Sequence, residues 1–193
     1  MTIGILALQG AFVEHARVLD ELGLSHIEIR QKKDFAKPID GLIIPGGEST
    51  AIAKLLHDLD LFLPIKKAIE AGLPTFGTCA GLILLASELE GSETAHFKTL
   101  DITVRRNAYG RQIASFMTRA AFNGDPVDMI FIRAPLITSL GPAVRTLAVV
   151  DKHPVAVRQN NQLGCSFHPE LAKDPSIHRY FIAMVEAHKK KRS

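Results

Sequence analysis

Apolar positions set the rhythm of this chain. Ile3 to Leu8 is an unbroken apolar run, the pattern of a strand buried on both faces. Gln9-Gly10 ends it, and Phe12, Ala16, Leu19 and Leu22 then recur at helical spacing until Gly23 supplies a stop. Ile27 and Ile29 mark a second strand, and Gly41 to Ile44 a third. Pro45-Gly46-Gly47-Glu48-Ser49-Thr50 reads as a turn, with Ser49 or Thr50 capping a helix that carries Ile52, Leu55 and Leu56. Another helix runs to about Ala71, where Pro64 is tolerable only in the first turn. A short apolar run then ends at Gly77, and a helix-forming run continues to Ala86. This βαβαβα order predicts a parallel sheet with helices on both faces.

The pattern changes after Glu90. Leu100, Ile102 and Val104 alternate with polar residues, and the segment from Ile113 to Phe116 does the same, as half-exposed antiparallel strands do. Met129 to Ile132 and Thr146 to Val150 read as further strands. Val155 to Arg158 and Leu163 to Phe167 flank Asn160-Asn161, a hairpin signal. Ile177, Phe181, Met184 and Val185 mark a closing amphipathic helix. There is no internal repeat, low-complexity linker or internal boundary, so residues 1–193 are expected to form one domain.

Composition adds little to this picture. Hydrophobic content of 47% and charged content of 22% are ordinary for a soluble globular protein, no apolar run reaches the length of a membrane span, and a cytoplasmic location is expected. The net charge of +3 is 23 minus 20, and Lys189-Lys190-Lys191-Arg192 alone supplies four positive charges. The basic balance therefore belongs to a solvated tail, and neither a nucleic-acid nor a membrane partner is expected. Cys79 and Cys165 are expected to stay reduced.

Candidate chemistry begins with Gly77-Thr78-Cys79-Ala80-Gly81, between a strand and a helix. That is the layout of a nucleophile elbow, in which small flanking residues allow a strained turn and a helix N-terminus favours a thiolate. Ser166-Phe167-His168-Pro169-Glu170 is the second signal. On a strand that continues to its end, Ser166 and His168 face one side, and Glu170 lies two residues beyond the histidine. A carboxylate so placed can hold one imidazole nitrogen and leave the other for a thiol. Pro45-Gly46-Gly47-Glu48-Ser49 also follows a strand and opens a helix, so its backbone N–H groups can stabilise an oxyanion. No Gly-Lys-Ser/Thr follows it, which excludes a P-loop, and Gln9-Gly10 lacks a dinucleotide fingerprint. Arg105-Arg106-Asn107 and Ile132-Arg133 bring guanidinium groups suited to a carboxylate. His15, His57 and His96 read as surface or structural, and neither a metal nor a cofactor is expected.

With elbow, His-Pro-Glu and Gly-Gly turn in place, the chain resembles the class I, triad-type glutamine amidotransferases. In particular it resembles the glutaminase subunit of pyridoxal 5′-phosphate synthase over nearly its whole length. The more specific matching pieces are Leu8-Gln9-Gly10-Ala11-Phe12 with Glu14-His15, Asp101-Ile102-Thr103-Val104 into Arg106-Asn107, Gly110-Arg111-Gln112, and Phe131-Ile132-Arg133-Ala134-Pro135. Departures at Phe97-Lys98-Thr99 and Ala172-Lys173 touch no chemistry.

The resemblance implies a flavodoxin-like three-layer α/β sandwich, with a mostly parallel central sheet and an antiparallel extension in the C-terminal half. It implies that Cys79 attacks the side-chain amide of L-glutamine, with His168 as base and then acid and Glu170 orienting it. Glutamine-binding positions map onto Gly47, Glu48, Ser49, Arg106, Ile132 and Arg133. The oxyanion region maps onto Gln9, Gly46, Gly47 and Ala80. Ammonia would pass to a separate synthase subunit, whose docking would complete the oxyanion site. Two alternatives remain: the glutaminase of another pathway, such as imidazole glycerol phosphate synthase, or a non-catalytic regulatory module on the same fold. The former shares the triad without the specific segments, and an intact Cys79, His168 and Glu170 argue against the latter.

Overall fold

The computed structural model describes residues 1–91, 94–106 and 115–192. Asn107, Gly110-Arg111-Gln112 and the start of the strand expected from Ile113 lie outside the described residues. In chain order the first half contains β1 (Thr2–Leu6), α1 (Phe12–Glu21), β2 (Ser25–Ile29), α2 (Lys32–Phe35), β3 (Gly41–Ile44), α3 (Ser49–Asp58), α4 (Phe62–Glu70), β4 (Thr75–Thr78) and α5 (Ala80–Leu85). The second half contains β5 (Ala86–Leu89), β6 (Leu100–Arg105), β7 (Ser115–Phe122), β8 (Asp125–Ile132), β9 (Leu136–Leu140), β10 (Arg145–Val150), β11 (His153–Gln159), β12 (Gln162–Cys165) and α6 (Ser176–Arg192).

A nine-stranded sheet in the order β2-β1-β3-β4-β12-β11-β10-β7-β8 forms the middle layer. The strands from β2 to β12 pair in parallel, and those from β12 to β8 pair antiparallel. With β12 as fifth strand, the parallel part has the flavodoxin order, and its switch point lies between β1 and β3. The hairpin expected at Asn160-Asn161 joins β11 and β12, with Gln159 opposite Gln162 and Asn160 at φ 51°.

Burial on both faces explains the unbroken apolar runs. Ile3, Ile5 and Ile43 point into one core with Ala16 and Leu19 of α1 and with Ile177, Phe181 and Val185 of α6. Leu6, Leu42 and Ile44 point into the other, with Ile52 and Leu56 of α3, Ile65 of α4 and Leu82 of α5. A separate three-stranded sheet, β5-β6-β9, closes this second core with Leu89, Ile102 and Ile137. The alternation at Leu100, Ile102 and Val104 therefore belongs to a small sheet in which β6 pairs in parallel with β5 and antiparallel with β9. Among the described residues, no helix is long and apolar enough to cross a membrane.

The parallel arrangement sets up the site. Gln9, Gly46, Cys79 and His168 each lie just beyond the C-terminal end of a parallel strand, respectively β1, β3, β4 and β12. Open α/β sheets gather ligands at that end.

Candidate active site

Cys79 sits between β4 and α5 with φ 49° and ψ −100°. Left-handed backbone at a residue with a Cβ costs about 1–3 kcal/mol, and the surrounding structure holds it there. The Cys79 N–H donates to the Cys165 carbonyl at 2.8 Å, and its own carbonyl accepts from Ile83 N at 3.2 Å. Gly81 lets the new helix pass over β3, because a Cβ there would lie 2.0 Å from the Ile44 carbonyl oxygen. The cysteine is only 6% exposed, at the edge of a cavity rather than on an open elbow.

His168 lies past the end of β12, which stops at Cys165, so its direction is not set by strand alternation. Its N–H donates to the Ile130 carbonyl at 2.8 Å, which pins the segment to β8. Pro169 then opens a short 3-10 turn over Pro169–Leu171 that swings Glu170 back toward the ring. His168 Nδ1 is 2.7 Å from Glu170 Oε1, and the Cys79 side chain adjoins the ring at Gly46, where an added Cβ would lie 2.4 Å from His168 Cε1 and 3.3 Å from Cys79 Cβ. Burial alone would lower the pKa of His168. The hydrogen bonds to Cys79 and Glu170, with the charges on both, instead raise it from 6.5 to about 10.

The Gly-Gly turn packs directly on this ring. A Cβ on Gly46 would lie 2.4 Å from His168 Cε1, so only glycine fits. Three hydrogen bonds fix the turn: Gly46 N donates to Thr78 Oγ1 at 3.0 Å, Ala11 N to the Gly46 carbonyl at 2.9 Å, and Glu48 N to Gln9 Oε1 at 2.7 Å. Glu48, rather than Ser49 or Thr50, is the N-cap of α3, and its carboxylate accepts from Ala51 N and Thr50 Oγ1. Its second oxygen lies 3.2 Å from the Arg106 guanidinium. The Thr50 hydrogen bond lowers the Glu48 pKa against the opposing effect of burial, and Ala51 and Arg106 add to the lowering.

A cavity of about 400 Å³ opens above the cysteine, lined by Gln9, Gly47, Glu48, Ser49, Cys79, Ile83, Arg106, Ile132, Arg133 and His168. All six expected glutamine-binding positions line it. Glu170 stands behind His168, and Gly46 and Ala80 form buried backing. Arg105, by contrast, points away and pairs with Glu90 at 2.6 Å. Arg133 has φ 43°, a second left-handed residue at the rim, and the Ile132 carbonyl lies 3.9 Å from the Cys79 sulfur.

Four residues around the site were given no part in it by the sequence. Ile83 lines the cavity, and Thr78 supports the turn. His15 is fully buried, 3.5 Å from Glu170 Oε2, and contacts His178, which is also fully buried. The structural alternative therefore holds for His15, and it holds beside the chemistry. The spacing carried a signal: His15 shares the apolar stripe of Phe12, Ala16 and Leu19, and His178 that of Phe181 and Val185.

Similarity to known proteins shows the family. The SNO glutamine amidotransferase family matches residues 5–187. Pyridoxal 5′-phosphate synthase subunit PdxT of Streptococcus pneumoniae is 53% identical over 190 residues, covering 96% of this chain and 98% of its own. The protein of that name from Haemophilus influenzae is 54% identical over 186 residues, 94% and 97% of the two chains. A crystal structure of a glutamine amidotransferase superposes with a TM-score of 0.90 at 43% identity, over 95% of this chain and 98% of its own. By sequence and by fold, the chain belongs to the SNO glutamine amidotransferase family.

Proposed function

We propose that Cys79, His168 and Glu170 form a catalytic triad that hydrolyses L-glutamine to L-glutamate and ammonia, and that the ammonia feeds pyridoxal 5′-phosphate synthesis on a partner synthase subunit. One observation carries the reading: His168 is held by Glu170 at 2.7 Å and lines, together with Cys79, one cavity of about 400 Å³.

The Cys79 thiolate attacks the side-chain carbonyl carbon of glutamine, and the carbonyl electron pair moves onto oxygen. Backbone N–H groups of Gly47 and Ala80 receive that oxyanion, with Gln9 and Gly46 fixing the turn. The His168 imidazolium gives its proton to the departing nitrogen, and the C–N bond breaks to leave ammonia and a thioester. Water, deprotonated by the now neutral His168, attacks the thioester and releases glutamate and the thiolate. Glu170 keeps the ring oriented and balances its charge throughout. Gly47, Glu48, Ser49, Ile132 and Arg133 enclose the α-amino and α-carboxylate end of the substrate, and Arg106 supplies a cation for the carboxylate. Residues 1–193 act as one glutaminase domain, in the cytoplasm, without a cofactor of their own.

Cofactor formation by the two subunits together tests this role. Cys79→Ala is expected to support none with glutamine and near-normal formation with an ammonium salt. Failure of ammonium to rescue would remove the ammonia-donor role.

A further inference from the structure

The carboxylate of Glu170 has a second side. Oε1 meets His168, whereas Oε2 is buried and, among the described residues, has no hydrogen-bond partner. His15 Nε2 lies 3.5 Å from it, with both side chains fully buried. The same nitrogen lies 3.2 Å from Thr78 Oγ1, which accepts from Gly46 N. On its other edge, His15 Nδ1 lies 2.9 Å from His178 Nε2.

These contacts select a tautomer. A lone pair on His15 Nε2 would point at a carboxylate oxygen and leave that buried anion without a donor. A proton on Nε2 faces the anion with a donor and requires His15 Nδ1 to accept from His178 Nε2–H. His178 Nδ1, which has no partner among the described residues, then keeps a lone pair rather than an unpaired N–H. Burial, followed by repulsion from His178 and His168 when those rings are protonated, lowers the His15 pKa well below its usual value. Burial lowers that of His178 to about 4, so both rings are neutral at pH 7.

We propose that His15 is a positioning residue for the triad: held in its Nε2–H tautomer by His178, it fixes the outer oxygen of Glu170 and, through Thr78, ties that carboxylate to the Gly46 turn. The chain of contacts runs from α6 through α1 and the end of β4 to the glycine that His168 packs against. It rests on the triad reading and extends it. His15 acts on the reaction only through Glu170 and the turn, with no access to the cavity.

Glutamine hydrolysis by the complex with the synthase subunit tests it through two variants. Gln places an amide nitrogen near the position of Nε2, whereas Asn places one near Nδ1 and withdraws the donor from Glu170. His15→Asn is expected to lower kcat about 10- to 100-fold, as loss of a hydrogen bond to a charged group does, with KM within about twofold. His15→Gln is expected to restore kcat to within about threefold of wild type by the same reasoning.

The second readout is the pH profile of Cys79 alkylation by iodoacetamide. Among the described residues, the titratable groups facing the carboxylate are His168, His15 and the Cys165 thiol, and Cys165 is too buried to react. The upper inflection, which reports loss of the His168 proton, should move to lower pH in His15→Asn and stay in place in His15→Gln. Equal kcat in the two variants, or a loss of kcat with no change in the inflection, overturns the proposal. If His15→Asn does not fold, His178→Leu frees His15 to exchange tautomers and should lower kcat about threefold or more. A wild-type rate there overturns the proposal too. Cys79→Ala run in parallel separates the two readings. Hydrolysis surviving in it removes the triad and this proposal together, whereas its loss beside a wild-type His15→Asn removes only the His15 role.

Discussion

Two histidines press on one carboxylate from opposite sides. His168 faces the cavity, lies 2.7 Å from Glu170 Oε1 and has its pKa raised to about 10. His15 is sealed behind the carboxylate, lies 3.5 Å from Oε2 and has its pKa lowered well below 6.5. Burial disfavours the charged form of both. His168 gains hydrogen bonds to two acidic groups, Cys79 and Glu170, and those outweigh burial. His15 meets another histidine on one edge and the charge of His168 nearby, which add to burial. The partners around a ring, more than its depth, decide whether it can carry a proton into the reaction.

The largest test of this asymmetry removes the front ring. In His168→Asn, the amide nitrogen near the former Nδ1 can still donate to Glu170, so the buried carboxylate keeps a partner while the proton carrier is gone. Glutaminase kcat should fall about 100- to 10,000-fold, with folding checked by circular dichroism. Full activity would show that the proton travels by another route.

Altering the carboxylate should cost less. A glutamine at position 170 can accept from one histidine only and must turn its NH2 toward the other. Glu170→Gln is therefore expected to lower kcat about 10- to 100-fold. A variant worse than His168→Asn would contradict the assignment of Glu170 as the orienting group.

The smallest effect is on stability against pH, where the two sides should act in opposite directions. His178 has a pKa of about 4 in the folded chain and about 6.5 when unfolded, so the unfolded state binds more protons between those values. Its contribution, of order 3 kcal/mol, is present above pH 6.5 and lost as pH falls toward 4, and His15 acts in the same direction. His168, raised to about 10, contributes stability that is full below pH 6.5 and lost as pH rises toward 10. Denaturant midpoints across pH 4 to 10 should therefore decline toward both ends. His178→Phe should flatten the acid limb alone, and an undiminished acid limb in that variant would contradict the neutral rear pair.

The sequence spelled out the front of the site better than its back. Cys79 between two glycines, and His168 and Glu170 around a proline, are local patterns whose chemistry follows from residue type and spacing. The parallel sheet was equally legible, because apolar runs such as Ile3 to Leu8 alternate with helical stripes, as strands covered on both faces do. Small features without periodicity were not. The four-residue helix α2 leaves no such mark, and the run after Gly81 hides the change from α5 to β5 at Ala86 because every residue of that helix is buried. The alternation of Leu100, Ile102 and Val104 predicted a strand but could not say which strands it pairs with. His15, His178, Thr78 and Glu170 come from four separate segments, and only the packed fold brings them together.

Glutamate release from glutamine by Cys79→Ala, assayed with the synthase subunit and with folding confirmed, tests the central claim most directly. The change removes a sulfur that lines the cavity beside His168, and the backbone contacts of residue 79 to Cys165 and Ile83 do not depend on its side chain. The predicted result is a folded complex that releases no glutamate above the rate without enzyme. Release at a rate near that of the wild type would contradict the account.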